Sequence, residues 1–296
     1  ILGNYQEATN HLNKLLKIAP NYSEVGLLSG KNLVELNQFE SALPHLEKAI
    51  QQQPDSFEAQ FYLGLTLIRL NRPTDAITPL QKAVKINPDS SLTFNHLGQT
   101  YQKLEMFPEA IYSYKQATRI EPNFTDAFNK LGTLYTFQKD YENAIKMFLG
   151  AVRSNPKFQT GYFNLGMVYE ILGRHPEAIE QYKKILALNP DHQKALFNLG
   201  WVLMDENLFM EAIHPLKQAI SLNPENADAH YSLGLVFGKL NRYQEALDQY
   251  RKVLQLDPNH SGAYERLALT EKSMESATVS AQKDVFPKEL DIILVP

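Results

Sequence analysis

Apolar residues along most of this chain recur at i, i+3, i+4 and i+7, the spacing of one helix face. The helices these stripes predict come in pairs. Within residues 193–226, Leu196, Leu199, Gly200 and Leu203 form a first stripe, and Ala212, Leu216, Ala219 and Ile220 form a second. Asn207 lies between them, and Asn223–Pro224 closes the unit. Proline ends the second helix because it has no N–H to donate and restricts the residue before it.

The same unit repeats with a fixed period. Pro20, Pro54, Pro88, Pro122, Pro156, Pro190, Pro224 and Pro258 are spaced by 34 residues, with no insertion. A glycine series (Gly30, Gly64, Gly98, Gly132, Gly166, Gly200, Gly234) and an alanine series (Ala8, Ala42, Ala76, Ala110, Ala144, Ala178, Ala212, Ala246) run in phase with it. A fixed period of this length marks a solenoid rather than a globular domain. Small residues at two registers predict helices that approach closely, enough to offset the roughly 1 kcal/mol that glycine costs inside a helix.

The pattern resembles the tetratricopeptide repeat. In one unit it reads Phe128, Leu131, Gly132, Tyr135, Ala144, Phe148, Ala151, Pro156. The resemblance covers about residues 1–273 and implies an all-α fold, a right-handed superhelical α-solenoid of helix-turn-helix repeats. Residues 1–22 read as a partial repeat holding only a second helix, over about 4–17. Seven complete units follow, at 23–56, 57–90, 91–124, 125–158, 159–192, 193–226 and 227–260. Residues 261–273 read as a capping helix, with polar Glu271 in a slot filled by Tyr or Leu elsewhere. Gly26 and Ser29 replace large core residues, so the first full unit is expected to pack most loosely. Pro44, Pro79 and Pro215 fall early in second helices, where a missing N–H is least costly.

Composition narrows the function classes. Net charge is −4 with both signs interspersed, which singles out neither nucleic acid nor an anionic membrane as the partner. No apolar run approaches the roughly 18 residues of a membrane-spanning helix. The absence of cysteine excludes disulfides and thiol chemistry, and is compatible with a reducing, cytoplasmic compartment. The chain begins at Ile1, mid-repeat, and reads as a fragment. The eight histidines form no HExxH or other close metal pair, and His192 and His260 read as surface loop residues. No phosphate-binding glycine loop or nucleophile elbow occurs. The recurrent Glu before the periodic Ala is a first-turn acid favoured by the helix dipole. The chain itself is therefore expected to be non-enzymatic and to need no cofactor.

What remains is the other face of each first helix. With the periodic glycine as reference, positions −4, −1, 0 and +3 form the core stripe, and −6, −3, −2, +1, +4 and +5 lie elsewhere. In tetratricopeptide arrays that second face lines a concave groove where extended peptides or partner helices bind. The candidate binding residues there are Asn95, Gln99, Asn129, Lys130, Phe163, Asn164, Met167, Phe197, Asn198, Trp201 and Tyr231. For Phe163 and Phe197, packing between repeats is an equal alternative. Trp201, the chain's one tryptophan, is assigned to the groove. Asn164 and Asn198, at −2, resemble rungs of the asparagine ladder of O-linked N-acetylglucosamine transferase. There each amide pairs with both groups of a peptide unit, donor to C=O and acceptor to N–H. Asn95 and Asn129, at −3, sit about 100° further round. The family's carboxylate clamp, with Lys at −3, is absent.

From about Ser276 the period is lost. SATVSAQKD reads as a polar linker, and DIILVP resembles the opening strand of nucleotide-sugar glycosyltransferases. The expected function is a protein-interaction scaffold that binds an extended peptide or partner helix. The alternatives are the recognition arm of a larger enzyme such as a glycosyltransferase, with its catalytic domain beyond Pro296, and a self-assembling homo-oligomeric scaffold. The segment 274–296 is either the start of that further domain or a tail that folds into the groove.

Overall fold

A computed structural model describes residues 22–285, with eight scattered residues between Tyr5 and Ile18. Every regular element described is an α-helix. The pairs run α1 (Ser23–Glu35) and α2 (Phe39–Gln52), α3 (Phe57–Arg69) and α4 (Pro73–Ile86), α5 (Ser91–Lys103) and α6 (Phe107–Ile120), then α7 (Thr125–Phe137) and α8 (Tyr141–Ser154). They continue as α9 (Gln159–Ile171) and α10 (His175–Leu188), α11 (Gln193–Asp205) and α12 (Phe209–Leu222), and α13 (Ala227–Lys239) and α14 (Tyr243–Leu256), before α15 (Ser261–Val285). Two compact units divide the chain, Ile1–Gly161 and Tyr162–Pro296.

Within each unit successive helices pack on one another, α9 on α10 through Gly166 and Phe163 against Tyr182, and first helices also touch the first helix of the following pair: α1 on α3, α3 on α5, α11 on α13 and α13 on α15. This ordering follows from the small-residue registers. A Cβ built on Gly132 would lie 2.7 Å from the Phe148 ring, which is itself fully buried. Ala144, on the facing helix, has no exposed surface. The two series are the contact line on which each hairpin closes.

The turns have a register of their own. Asn37, Asn71, Glu105, Lys139, Gly173, Asn207 and Asn241 all have φ between 57° and 67°. Each ends a first helix in the left-handed conformation. At Lys139 the neighbouring amides complete the motif, Lys139 N–H to Thr136 O (3.0 Å) and Asp140 N–H to Tyr135 O (2.9 Å). At five of the register prolines the next helix is capped from the residue two positions on. Ser56, Ser90, His192, Asn226 and His260 there accept from the N–H three residues on.

Gly26 and Ser29 sit as expected of an underfilled unit. A Cβ on Gly26 would meet only the His45 carbonyl at 3.6 Å, and the buried Ser29 Oγ has no hydrogen-bond partner among the described residues. One expectation is corrected. α15 does not stop at residue 273 but continues to Val285, so SATVSAQKD is helical rather than a linker. The expected helix over 4–17 falls on a segment of which only scattered residues are described, and DIILVP lies outside the described residues.

Candidate functional site

In the second unit, α9, α11 and α13 carry the residues at the expected groove positions. Met167 and Trp201, both one residue after a register glycine, are 42% and 43% exposed. Asn164 and Asn198 are half-buried beside them. Asn198 Nδ2 donates to the Tyr182 hydroxyl (3.1 Å), which in turn donates to Glu170 Oε1. Amide, phenol and carboxylate therefore form a directed chain. Burial pushes the Tyr182 phenol far up, so it stays a donor, and burial also raises Glu170 above its ordinary value. A cavity of about 470 Å³ opens here, lined by Glu170, Phe197, Asn198, Trp201, Asp228, Tyr231, Ser232 and His260.

The aromatic residues at −3 play a different part. Phe163 lies 5.9 Å from the Tyr182 ring and 6.1 Å from His192. Tyr231 repeats the arrangement, 6.0 Å from Tyr250 and 4.7 Å from His260. Each lies half-buried between its own hairpin and the next. Phe197, also half-buried, contributes an edge to the cavity. His192 and His260, read from sequence as loop residues, are helix caps and stacking partners at once. Their spacing from proline could have shown the cap, but only the fold shows the stacking.

In the first unit the candidates cluster around Asp126, in the first turn of α7. Its carboxylate accepts from Asn95 Nδ2 (3.0 Å) and Gln99 Nε2 (3.4 Å), and Lys130 Nζ lies 3.5 Å away. Asn95 departs from expectation. It is 3% exposed rather than open to the groove, because −3 turns toward the following repeat. Among the described residues its Oδ1 and the neighbouring His96 Nδ1 have no hydrogen-bond partner. Burial holds the His96 imidazole below its ordinary value, so the neutral ring is favoured. Asn129 is half-buried on α7. Gln99 and Lys130 thus serve a charge cluster within the array.

No group of three or more His, Asp or Glu side chains among the described residues is placed to hold a metal ion. No described helix is long and apolar enough to cross a membrane.

Stacked hairpins with small-residue contact lines and one exposed first-helix face define an α-solenoid interaction scaffold. The chain belongs to the tetratricopeptide repeat (TPR) family: family models described as tetratricopeptide repeats match residues 27–91, 93–124, 125–158, 160–192 and 197–261. Such an all-helical repeat is typically non-catalytic and serves protein interaction. Among solved structures, YrrB, described as a TPR protein with an unusual peptide-binding site, is 22% identical with a TM-score of 0.58, over 63% of this chain and 96% of its own. A MamA structure is 26% identical with a TM-score of 0.52, over 56% of this chain and 96% of its own. PilF of Pseudomonas aeruginosa is 22% identical with a TM-score of 0.56, over 72% and 96%. A search of curated proteins found no match.

Proposed function

We propose that this protein binds an extended segment of a partner protein along the first-helix face of its second unit, with Asn164, Asn198 and Trp201 as the main contacts. The observation that carries the reading is Trp201. A tryptophan 43% exposed in a cavity edged by aromatics and the Asn198 amide is the residue type and setting of a binding hot spot. Asn198 supports it. Its second amide N–H and its carbonyl oxygen have no partner among the described residues, leaving a donor and an acceptor for a peptide unit. Residues 23–260 act in this reading as the array of seven units, with the helix from Ser261 closing it.

Random nonapeptides displayed on phage and selected on the intact chain test the reading. Trp201, the one tryptophan, reports binding of each selected peptide by its fluorescence. Trp201→Phe, read by capture of fluorescein-labelled peptide because it lacks the fluorophore, and the double variant Asn164→Ala/Asn198→Ala should each weaken selected peptides about tenfold or more, roughly 1.4 kcal/mol. Unchanged affinity in the double amide variant would sink the role of the asparagines.

A further inference from the structure

Glu170 and Asp228 both line the Trp201 cavity, and among the described residues no lysine or arginine does. The lining therefore carries two formal negative charges around an aromatic floor. Among the described residues no ion pair engages Asp228. Burial raises the Glu170 carboxyl above its ordinary value, while the hydrogen bond it accepts from the Tyr182 hydroxyl and the nearby His175 both favour its ionised form. The His260 ring is engaged as the cap of its own helix. Its Nδ1 accepts from the Ala263 N–H at 3.1 Å. The other acids nearby in sequence, Asp205 and Glu206, face His175 instead.

We infer that this cavity accepts an arginine side chain of the bound segment, with its guanidinium over Trp201 and its N–H groups turned to Glu170 and Asp228. Arginine fits better than lysine on chemical grounds. Its planar, weakly hydrated cation stacks on an aromatic face while its edges donate to carboxylates, whereas an ammonium is a compact, strongly hydrated charge. The inference rests on the groove reading and sharpens it: backbone amides are held by asparagines without regard to sequence, and this cavity supplies the sequence preference. The departure from the family's carboxylate clamp agrees with it, since the lysines that would draw an acidic residue are missing.

The same displayed nonapeptide library separates the two proposals. If peptides selected on the wild-type chain share an arginine, and replacing that arginine by isosteric, neutral citrulline weakens binding about tenfold, the inference holds. The variant Glu170→Gln/Asp228→Asn should then bind the arginine and citrulline peptides equally, while circular dichroism shows unchanged helix. Selected peptides that bind at Trp201 without a basic residue, or an arginine-to-citrulline change without effect, overturn the arginine pocket and leave the groove standing. A preference for lysine over arginine overturns the stacking geometry. Enrichment no better than on Trp201→Ala overturns both proposals.

Discussion

Asn95 and Asn198 lie three and two residues before a register glycine, and that single step decides what each amide can do. One residue is about 100° of helix. It turns Asn95 into the contact with the next repeat, where Asp126 takes its amide, and leaves Asn198 at the cavity edge. Arithmetic on the period separated core from non-core, but it did not separate the groove from the seam between first helices, because that seam exists only once repeats stack. The glycine register, by contrast, was fully legible. Gly132→Ala should destabilise the chain, since overpacking costs about 1–3 kcal/mol against about 1 kcal/mol regained in helix propensity. Gly26→Ala, where a Cβ has room, should stabilise it by about 1 kcal/mol. Guanidinium midpoints of the two variants should move in opposite directions, and a shared direction would contradict the close-approach account. Glu170 makes a second prediction. Burial raises its folded value above the ordinary 4.5, so the folded chain holds that proton more tightly than the unfolded chain. Its stabilising contribution is present below about that pH and is lost as pH rises through the folded value. Glu170→Gln should therefore raise the midpoint at pH 7 and lose that advantage near pH 4. A carboxylate retained at a cost to stability fits a residue kept for binding.

Helix ends obey local rules that the repeat makes easy to test. Seven turns adopt the same left-handed residue, yet only Gly173 carries the side chain for which that conformation is free of strain. Asn is tolerated there, whereas Glu105 and Lys139 have nothing in their side chains to favour it. Lys139→Gly should raise stability by about 0.5–1 kcal/mol and Gly173→Ala should lower it by about as much, read from urea melts. If neither moves, the turn is not where the strain resides. The end of α15 shows the opposite failing of pattern reading. Loss of the 34-residue period at Ser276 looked like loss of helix, but the stretch 274–284 contains no Gly or Pro, and Pro287 is the first breaker. Periodicity reports what a helix packs against. Helix continuation depends on breakers and on backbone hydrogen bonding, and the two end at different residues here.

Each compact unit is built from contacts between neighbouring helices, so stability should be close to a sum of repeat and interface contributions. The unbroken 34-residue register makes the consequence accessible. Deleting residues 91–124 removes one whole repeat from the first unit and brings residue 90 onto Thr125, the first residue of another first helix. The shortened chain should keep its helical signal per residue and unfold at a lower guanidinium concentration, having lost one repeat and the pairing of Phe61 with His96. The Trp201 cavity draws every lining residue from 170–260, all in the second unit. Peptide binding read by Trp201 should therefore survive the deletion within about twofold, since no removed residue touches that site. Deleting 193–226, equally in register, should abolish binding while leaving a folded array, because it takes Phe197, Asn198 and Trp201 with it. With its tryptophan gone, that variant is read by the capture of fluorescein-labelled peptide. Comparable losses of binding in the two deletions would mean that recognition spreads along the array, and the assignment of the site to the second unit would fail.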